Sequence, residues 1–301
     1  MAKDILATSP AARAVFDRVD TALGEPLSAL ILGGPEEQLT LTTNAQPAIL
    51  AASMAVLAAI RERLPGLPAP AFAAGHSLGE YCALVAASAL SLDDAARLVR
   101  ARGRAMQDAV PPGTGAMAAI VGMAPGRVEA VCVEAACGEI VAPANYNAPG
   151  QIVIAGHAGA VARAAALVVA AKGRAIPLKV SAPFHCSLMA PAAGVLAREL
   201  AVVSIDNPRF PIVANFDARP NAAAARVREL LVRQVDGAVR WEATIRYMVD
   251  SGVTRALEIG PGKVLAGLVK RIAKDVDVLS VGDVASLGLV SEFLAGNPSG
   301  S

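Results

Sequence analysis

The sequence predicts an α/β protein in two parts: a large domain built on a parallel sheet covered by helices, and a smaller unit inserted into it. Three observations predict it. In the outer parts of the chain, short apolar runs pass through glycine turns into segments with apolar residues at three- and four-residue spacing. The middle carries a different order of elements. At 301 residues the chain is long enough to bury a core for each part.

Residues 48–60 are apolar apart from Ser53 and are bounded by Pro47 and Arg61. This stretch falls short of the roughly 18 to 20 residues of a membrane-spanning helix and predicts a buried one. The run 71–74 meets Gly75-His76-Ser77-Leu78-Gly79, after which Leu78, Tyr81, Cys82 and Val85 recur at helical spacing. Late in the chain a strand at 255–259 enters Gly260-Pro261-Gly262 and then a helix presenting Val264, Leu265, Leu268 and Val269. A third strand is predicted at 278–281. Parallel strands need helical crossovers to return the chain, so this alternation predicts a parallel sheet covered on both faces.

Between these units come a strand at 116–121, a helix at about 127–137 and a strand at 140–144. The turn Asn147-Ala148-Pro149-Gly150 leads to a strand at 151–155, a helix at about 159–172 and a strand at 174–179. The order β-α-β-β-α-β is the ferredoxin-like arrangement, which can stand as a small domain. The predicted insertion, 113–182, splits the large domain into 1–112 and 183–301. The last residues, 296–301, read as a loose or vector-derived tail.

Charge is nearly balanced, 27 Lys plus Arg against 26 Asp plus Glu, and aromatic residues make up only 3%. A general nucleic-acid binder would show a basic excess with stacking aromatics, so nucleic acid is not an expected partner. Alanine supplies much of the 54% apolar fraction, and no membrane association is expected. The opening Met1-Ala2-Lys3-Asp4 lacks the apolar stretch of a secretory signal, so the expected compartment is the cytoplasm, with Cys82, Cys132, Cys137 and Cys186 reduced. Cys132 and Cys137 have no accompanying Cys or His pair. They read as two buried thiols, and no metal site is expected.

Gly75-x-Ser77-x-Gly79 between a strand and a helix is the setting of a nucleophile elbow, whose sharp turn holds the serine hydroxyl out and tolerates only small flanking residues. Ser77 lies at a helix amino terminus, where the backbone N–H of Leu78 is free to bind a developing oxyanion. The plainer alternative is a serine that caps the helix. Of three histidines, His76 adjoins Ser77 and points away from where a base must stand, and His157 reads as structural. His185, in Ala182-Pro183-Phe184-His185-Cys186, falls where the chain re-enters the large domain and is the candidate general base. Cys186 lacks the setting that activates a thiol. Arg102, in Ala101-Arg102-Gly103-Arg104, is either a solvated charge or a guanidinium fork for a substrate carboxylate.

Together these residues resemble the malonyl-CoA:acyl carrier protein transacylases of fatty-acid and polyketide synthesis, over nearly the whole chain. The resemblance rests on 75–81, on Arg102-Gly103 with Met106-Gln107, on 113–117, on Asn145-Tyr146-Asn147-Ala148-Pro149-Gly150-Gln151, on Phe184-His185-Cys186, on Leu231-Val232-Arg233-Gln234 and on 260–265. It implies an α/β-hydrolase-like large domain holding a ferredoxin-like insertion. It implies that Ser77 is the acylated nucleophile, His185 its base, Gln234 the group that orients His185 in place of a triad aspartate, and Arg102 the grip on the malonyl carboxylate. Phe184 is implied to narrow the pocket against branched extenders, and His76 and Asn147 to join the substrate-binding residues. The implied partners are an acyl carrier protein and a coenzyme A thioester, acting on a monomer without a cofactor.

Family members begin with a strand and a Gly-Gln-Gly loop whose glutamine lies in the oxyanion hole, and nothing in residues 1–11 matches it. Three expectations stay open: a natural chain that extends ahead of Met1, a strand supplied by another segment, or weak activity, since one oxyanion donor is worth about 10² to 10³ in turnover. Two other classes also stay open. One is a serine thioesterase or esterase, against which a carboxylate-binding Arg102 argues. The other is a non-catalytic docking module for a carrier protein.

Overall fold

The 22-residue helix Thr42–Arg63 is the axis of the large body. Ala48, Leu50, Ala51, Ala55, Val56 and Ile60 are all buried, the pattern of a helix apolar all round and therefore enclosed. The computed structural model, which describes residues 1–296, covers it with Pro10–Leu23 on one side and Leu92–Asp108 on another. By length and composition this helix could cross a membrane; its place in the core accounts for the same apolarity. Of the tail read at 296–301, residues 297–301 lie outside the described residues.

The helix runs through Pro47 instead of starting after it. Proline lacks the N–H that would bond the Thr43 carbonyl, and Arg100 Nη1 donates to that oxygen at 2.9 Å. Arg100 also reaches Asn44 and Glu25. Helix Leu92–Asp108 packs close at Gly103, where a Cβ would stand 2.7 Å from the Thr42 carbonyl oxygen.

The parallel sheet is present in fragments. Arg255–Ile259 pairs in parallel with Asp277–Val281, in register from Arg255↔Asp277 to Ile259↔Val281. Before the elbow, the run 71–74 makes one parallel bridge, Ala73↔Ile212, instead of a full strand. Pro68 and Pro70 just ahead of it offer no ladder donors. The helix after Gly260-Pro261-Gly262 is Val264–Ile272; Leu268 and Val269 are buried, but Val264 is 72% exposed and does not join the face expected of it.

The inserted unit has its elements in the predicted order: Gly115–Val121, Pro125–Ala136, Val141–Ala148, Gln151–His157, Ala158–Ala170 and Arg174–Pro177. Its four-stranded sheet is antiparallel throughout, with Gln151–His157 and Gly115–Val121 at the centre. Cys132 is buried, but Cys137 is exposed, in a left-handed position (φ 46°) that ends its helix, so only one of the pair is a core thiol. We propose 113–182 as a domain against 1–112 and 183–301, because one core cluster draws every buried member from 118–168.

Candidate active site

Ser77 sits at φ 51°, in the left-handed region that is strained for a residue with a side chain. The turn is tight at Gly75, where a Cβ would lie 2.0 Å from the Gly79 carbonyl carbon. A Cβ on Gly79 would meet nothing within 4 Å, so the steric demand falls on the first of the two glycines alone. The turn's own bonds run from Gly79 N to His76 O and from Glu80 N to Ser77 O. Leu78 N has no partner among the described residues. Asn215, fully buried, clamps the turn: its Oδ1 accepts from Ser77 N at 2.6 Å and its Nδ2 donates to Gly75 O at 2.7 Å.

His185 is buried, at φ 61°, with Nε2 2.8 Å from Ser77 Oγ. Its Nδ1 lies 2.8 Å from the Gln234 carbonyl oxygen. A carbonyl only accepts, so Nδ1 carries the proton and Nε2 presents a lone pair to the hydroxyl. Burial, with the Arg102 charge second, pulls the imidazole down to about 3, which keeps it neutral and able to take a proton. The Gln234 backbone carbonyl thus stands where a carboxylate stands in other triads.

Arg102 is 2% exposed, which excludes the solvated reading. Nη1 donates to Gln46 Oε1 at 2.7 Å; Nη2 donates to Gln234 Oε1 and to Ser77 Oγ, both at 2.9 Å. The guanidinium lies 5.7 Å from the Tyr81 ring centroid, and burial lowers its pKa. Ser77, His185, Gln234 and Arg102 therefore form one connected set. His76 and Asn147 pair with each other, Nε2 to Oδ1 at 2.9 Å, and the His76 ring stands 5.7 Å from that of Trp241. Phe184 is half-buried against the inserted sheet. His157 Nδ1 accepts from Ile140 N, a structural contact. The Cys186 thiol, pushed up to about 11 by burial, is inert as a nucleophile.

Three residues that the sequence reading passes over belong to the same network: Gln46 on Arg102, Asn215 on the elbow, and Glu80, whose Oε2 accepts from Gln234 Nε2 and Asn215 N. Gln46 could have been noticed as a polar residue at the head of an apolar helix, and Glu80 as a charge in the first turn of the elbow helix. Asn215 carries no local signal.

A hydroxyl bonded to an oriented neutral imidazole at the head of a helix is the equipment of acyl transfer. The Acyl transferase domain family matches residues 1–292, and the chain belongs to it. A malonyl CoA-acyl carrier protein transacylase of Escherichia coli K12 is 45% identical over 294 residues, 97% of this chain and 94% of the relative. The structure of an acyl-carrier-protein-S-malonyltransferase from Bartonella henselae superposes with a TM-score of 0.95 at 45% identity, covering 98% of this chain and 95% of that one. A malonyl-transacylase in complex with a type II PKS acyl-carrier protein gives a TM-score of 0.94 at 45% identity, over 97% and 94%. Within its family the chain stands among the malonyl CoA-acyl carrier protein transacylases.

Proposed function

We propose that the chain moves a malonyl group from malonyl-CoA to the phosphopantetheine thiol of an acyl carrier protein through an ester on Ser77. The observation that carries this reading is the Ser77 hydroxyl bonded at once to His185 Nε2, at 2.8 Å, and to Arg102 Nη2, at 2.9 Å. A base and a carboxylate grip meet at one oxygen.

In the proposed cycle Nε2 of His185 takes the hydroxyl proton as Oγ attacks the thioester carbon. The oxyanion collects on the free Leu78 N–H, and the tetrahedral intermediate collapses as the coenzyme thiolate leaves with the proton from His185. The carrier thiol then gives its proton to His185 and attacks the ester, and Ser77 leaves with that proton, a ping-pong course. His185 carries every proton, so the reaction as proposed draws on no cofactor. Arg102 grips the malonyl carboxylate in two hydrogen bonds, an interaction an acetyl group cannot make. Gln234 orients His185. Phe184 narrows the pocket, and His76 and Asn147, hydrogen-bonded to each other, join the substrate-binding residues. The chain is read as a monomer, and the four cysteines are free, which suits the cytoplasm.

Intact mass after exposure to malonyl-CoA tests the reading. The wild-type chain should gain one malonyl group and Ser77→Ala none. Discharge should require a carrier protein; rapid loss to water alone would make the chain a hydrolase instead.

A further inference from the structure

The carboxylate of Glu80 is 3% exposed and takes no part in the cycle above. A single oxygen, Oε2, accepts from Gln234 Nε2 at 2.8 Å and from Asn215 N at 3.0 Å. Each donor belongs to a residue that holds one half of the reacting pair. The Gln234 carbonyl orients His185, and its Nε2 also donates to Ser77 O at 2.9 Å. Asn215 grips the elbow backbone on both sides of His76. One oxygen on the helix Gly79–Ala86 therefore ties the helix Ala224–Asp236 to the segment that follows Ile212–Val213.

The charge on that oxygen has a partner. Arg102, on the helix Leu92–Asp108, is the cation that faces Glu80; the other titratable groups around it are Asp217 and its neighbour Tyr81. Asp217 is itself engaged by Arg226 at 2.9 Å. The remaining wall is mostly apolar, with Leu84, Ile212, Val227 and Leu230 bounding a cavity of about 10 Å³. A buried guanidinium held only by amide and hydroxyl oxygens needs a compensating charge nearby.

We propose that Glu80, as the carboxylate, is a positioning residue for acyl transfer: it holds Gln234 on His185 and Asn215 on the Ser77 backbone while its charge balances Arg102. This rests on the acyl-transfer reading above. A neutral carboxyl either turns an O–H toward one of the two donors or, protonated on Oε1, holds both only through the weaker hydrogen bonds of an uncharged oxygen. Burial raises the Glu80 pKa to about 7, whereas His185 is held down to about 3. The positioned state then forms as pH rises through about 7, in a range where the base does not titrate.

The test is single-turnover acylation of Ser77 by malonyl-CoA, followed by intact mass across this pH range. The wild-type rate constant should rise through an apparent pKa near 7. Glu80→Gln keeps an oxygen for both donors and removes the charge. Its rate should be flat with pH and, well above pH 7, on the order of tenfold below wild type, the difference between charge-assisted and neutral hydrogen bonds. A rise near 7 that survives in Glu80→Gln, or a variant as fast as wild type at high pH, would overturn the proposal. So would a wild-type rate with no rise near 7, a measurement that needs no variant to fold. Absence of any label on Ser77 would instead end the acyl-transfer reading.

Discussion

Arg102 is buried with its donors on amide and hydroxyl oxygens, so an arriving malonyl carboxylate would take the place of neutral partners. Hydrogen bonds to charged groups contribute about 1.5–3 kcal/mol each. Arg102→Ala should lower the malonyl-to-acetyl ratio of kcat/KM about 100-fold, with Arg102→Lys between, since ammonium keeps the charge but loses the fork. An unchanged ratio would remove Arg102 from the acyl pocket. His185 makes a prediction about acid. Its pKa is about 3 in the fold against an ordinary 6.5, so the unfolded chain binds more protons between those values. Its contribution is complete above pH 6.5 and shrinks as pH falls, by up to about 1.4 kcal/mol per pH unit. Glu80, raised from 4.5 to about 7, acts oppositely: its contribution is present below 4.5 and is lost as pH rises through 7. Below pH 4.5 only the histidine acts, and there the urea midpoint of His185→Asn should fall less steeply than that of wild type. Equal slopes would show His185 titrating at its ordinary value.

The elbow shows what an element reveals and conceals in sequence. Its pattern is legible because the demand is local: a turn this tight needs glycine at 75, and the strained φ of Ser77 follows from it. Gly75→Ala should cost at least about 1–3 kcal/mol by overpacking and abolish acylation. Gly79→Ala has room for its methyl at the first residue of the helix and should hold or raise the urea midpoint, by up to about 1 kcal/mol. Equal losses for the two would refute the asymmetry. Arg102 was left open by the residues alone, though its place on the helix holds a clue. On helix Leu92–Asp108 it falls on the stripe of Leu92, Ala95, Ala96, Val99, Gly103 and Met106, all of them buried, and a charge on an apolar stripe is a charge brought inside. Glu80 was noticeable as a charge on the elbow helix, but its partner Asn215 was not readable, because the pairing spans 135 residues of chain. For the same reason the parallel strands were legible as apolar runs but the extent of their pairing was not.

The meeting of Ser77 with His185 across 108 residues is a property of the whole molecule. The chain leaves the large body, builds the inserted sheet and returns through Pro183. A Cβ on Gly115, at the start of that sheet, would lie 2.3 Å from the Pro183 ring. The sheet alternates its two faces residue by residue. Ala118, Ile120, Ile152 and Ile154 face its own helices. Met117, Val153 and Ala155 face Cys186, with Phe184 and Leu188 beside them, so the segment carrying His185 rests on the sheet's second face. Truncation on either face should cost about 2–5 kcal/mol, but only one face supports the base. Met117→Ala should slow Ser77 acylation at least about tenfold in chains that remain folded, because a small displacement of a reacting group is costly. Ile154→Ala should lose comparable stability, measured by urea unfolding, and keep its rate. If acylation fell equally in both, His185 would be held by the stability of the fold as a whole, and the second face of the sheet would have no part in aiming it.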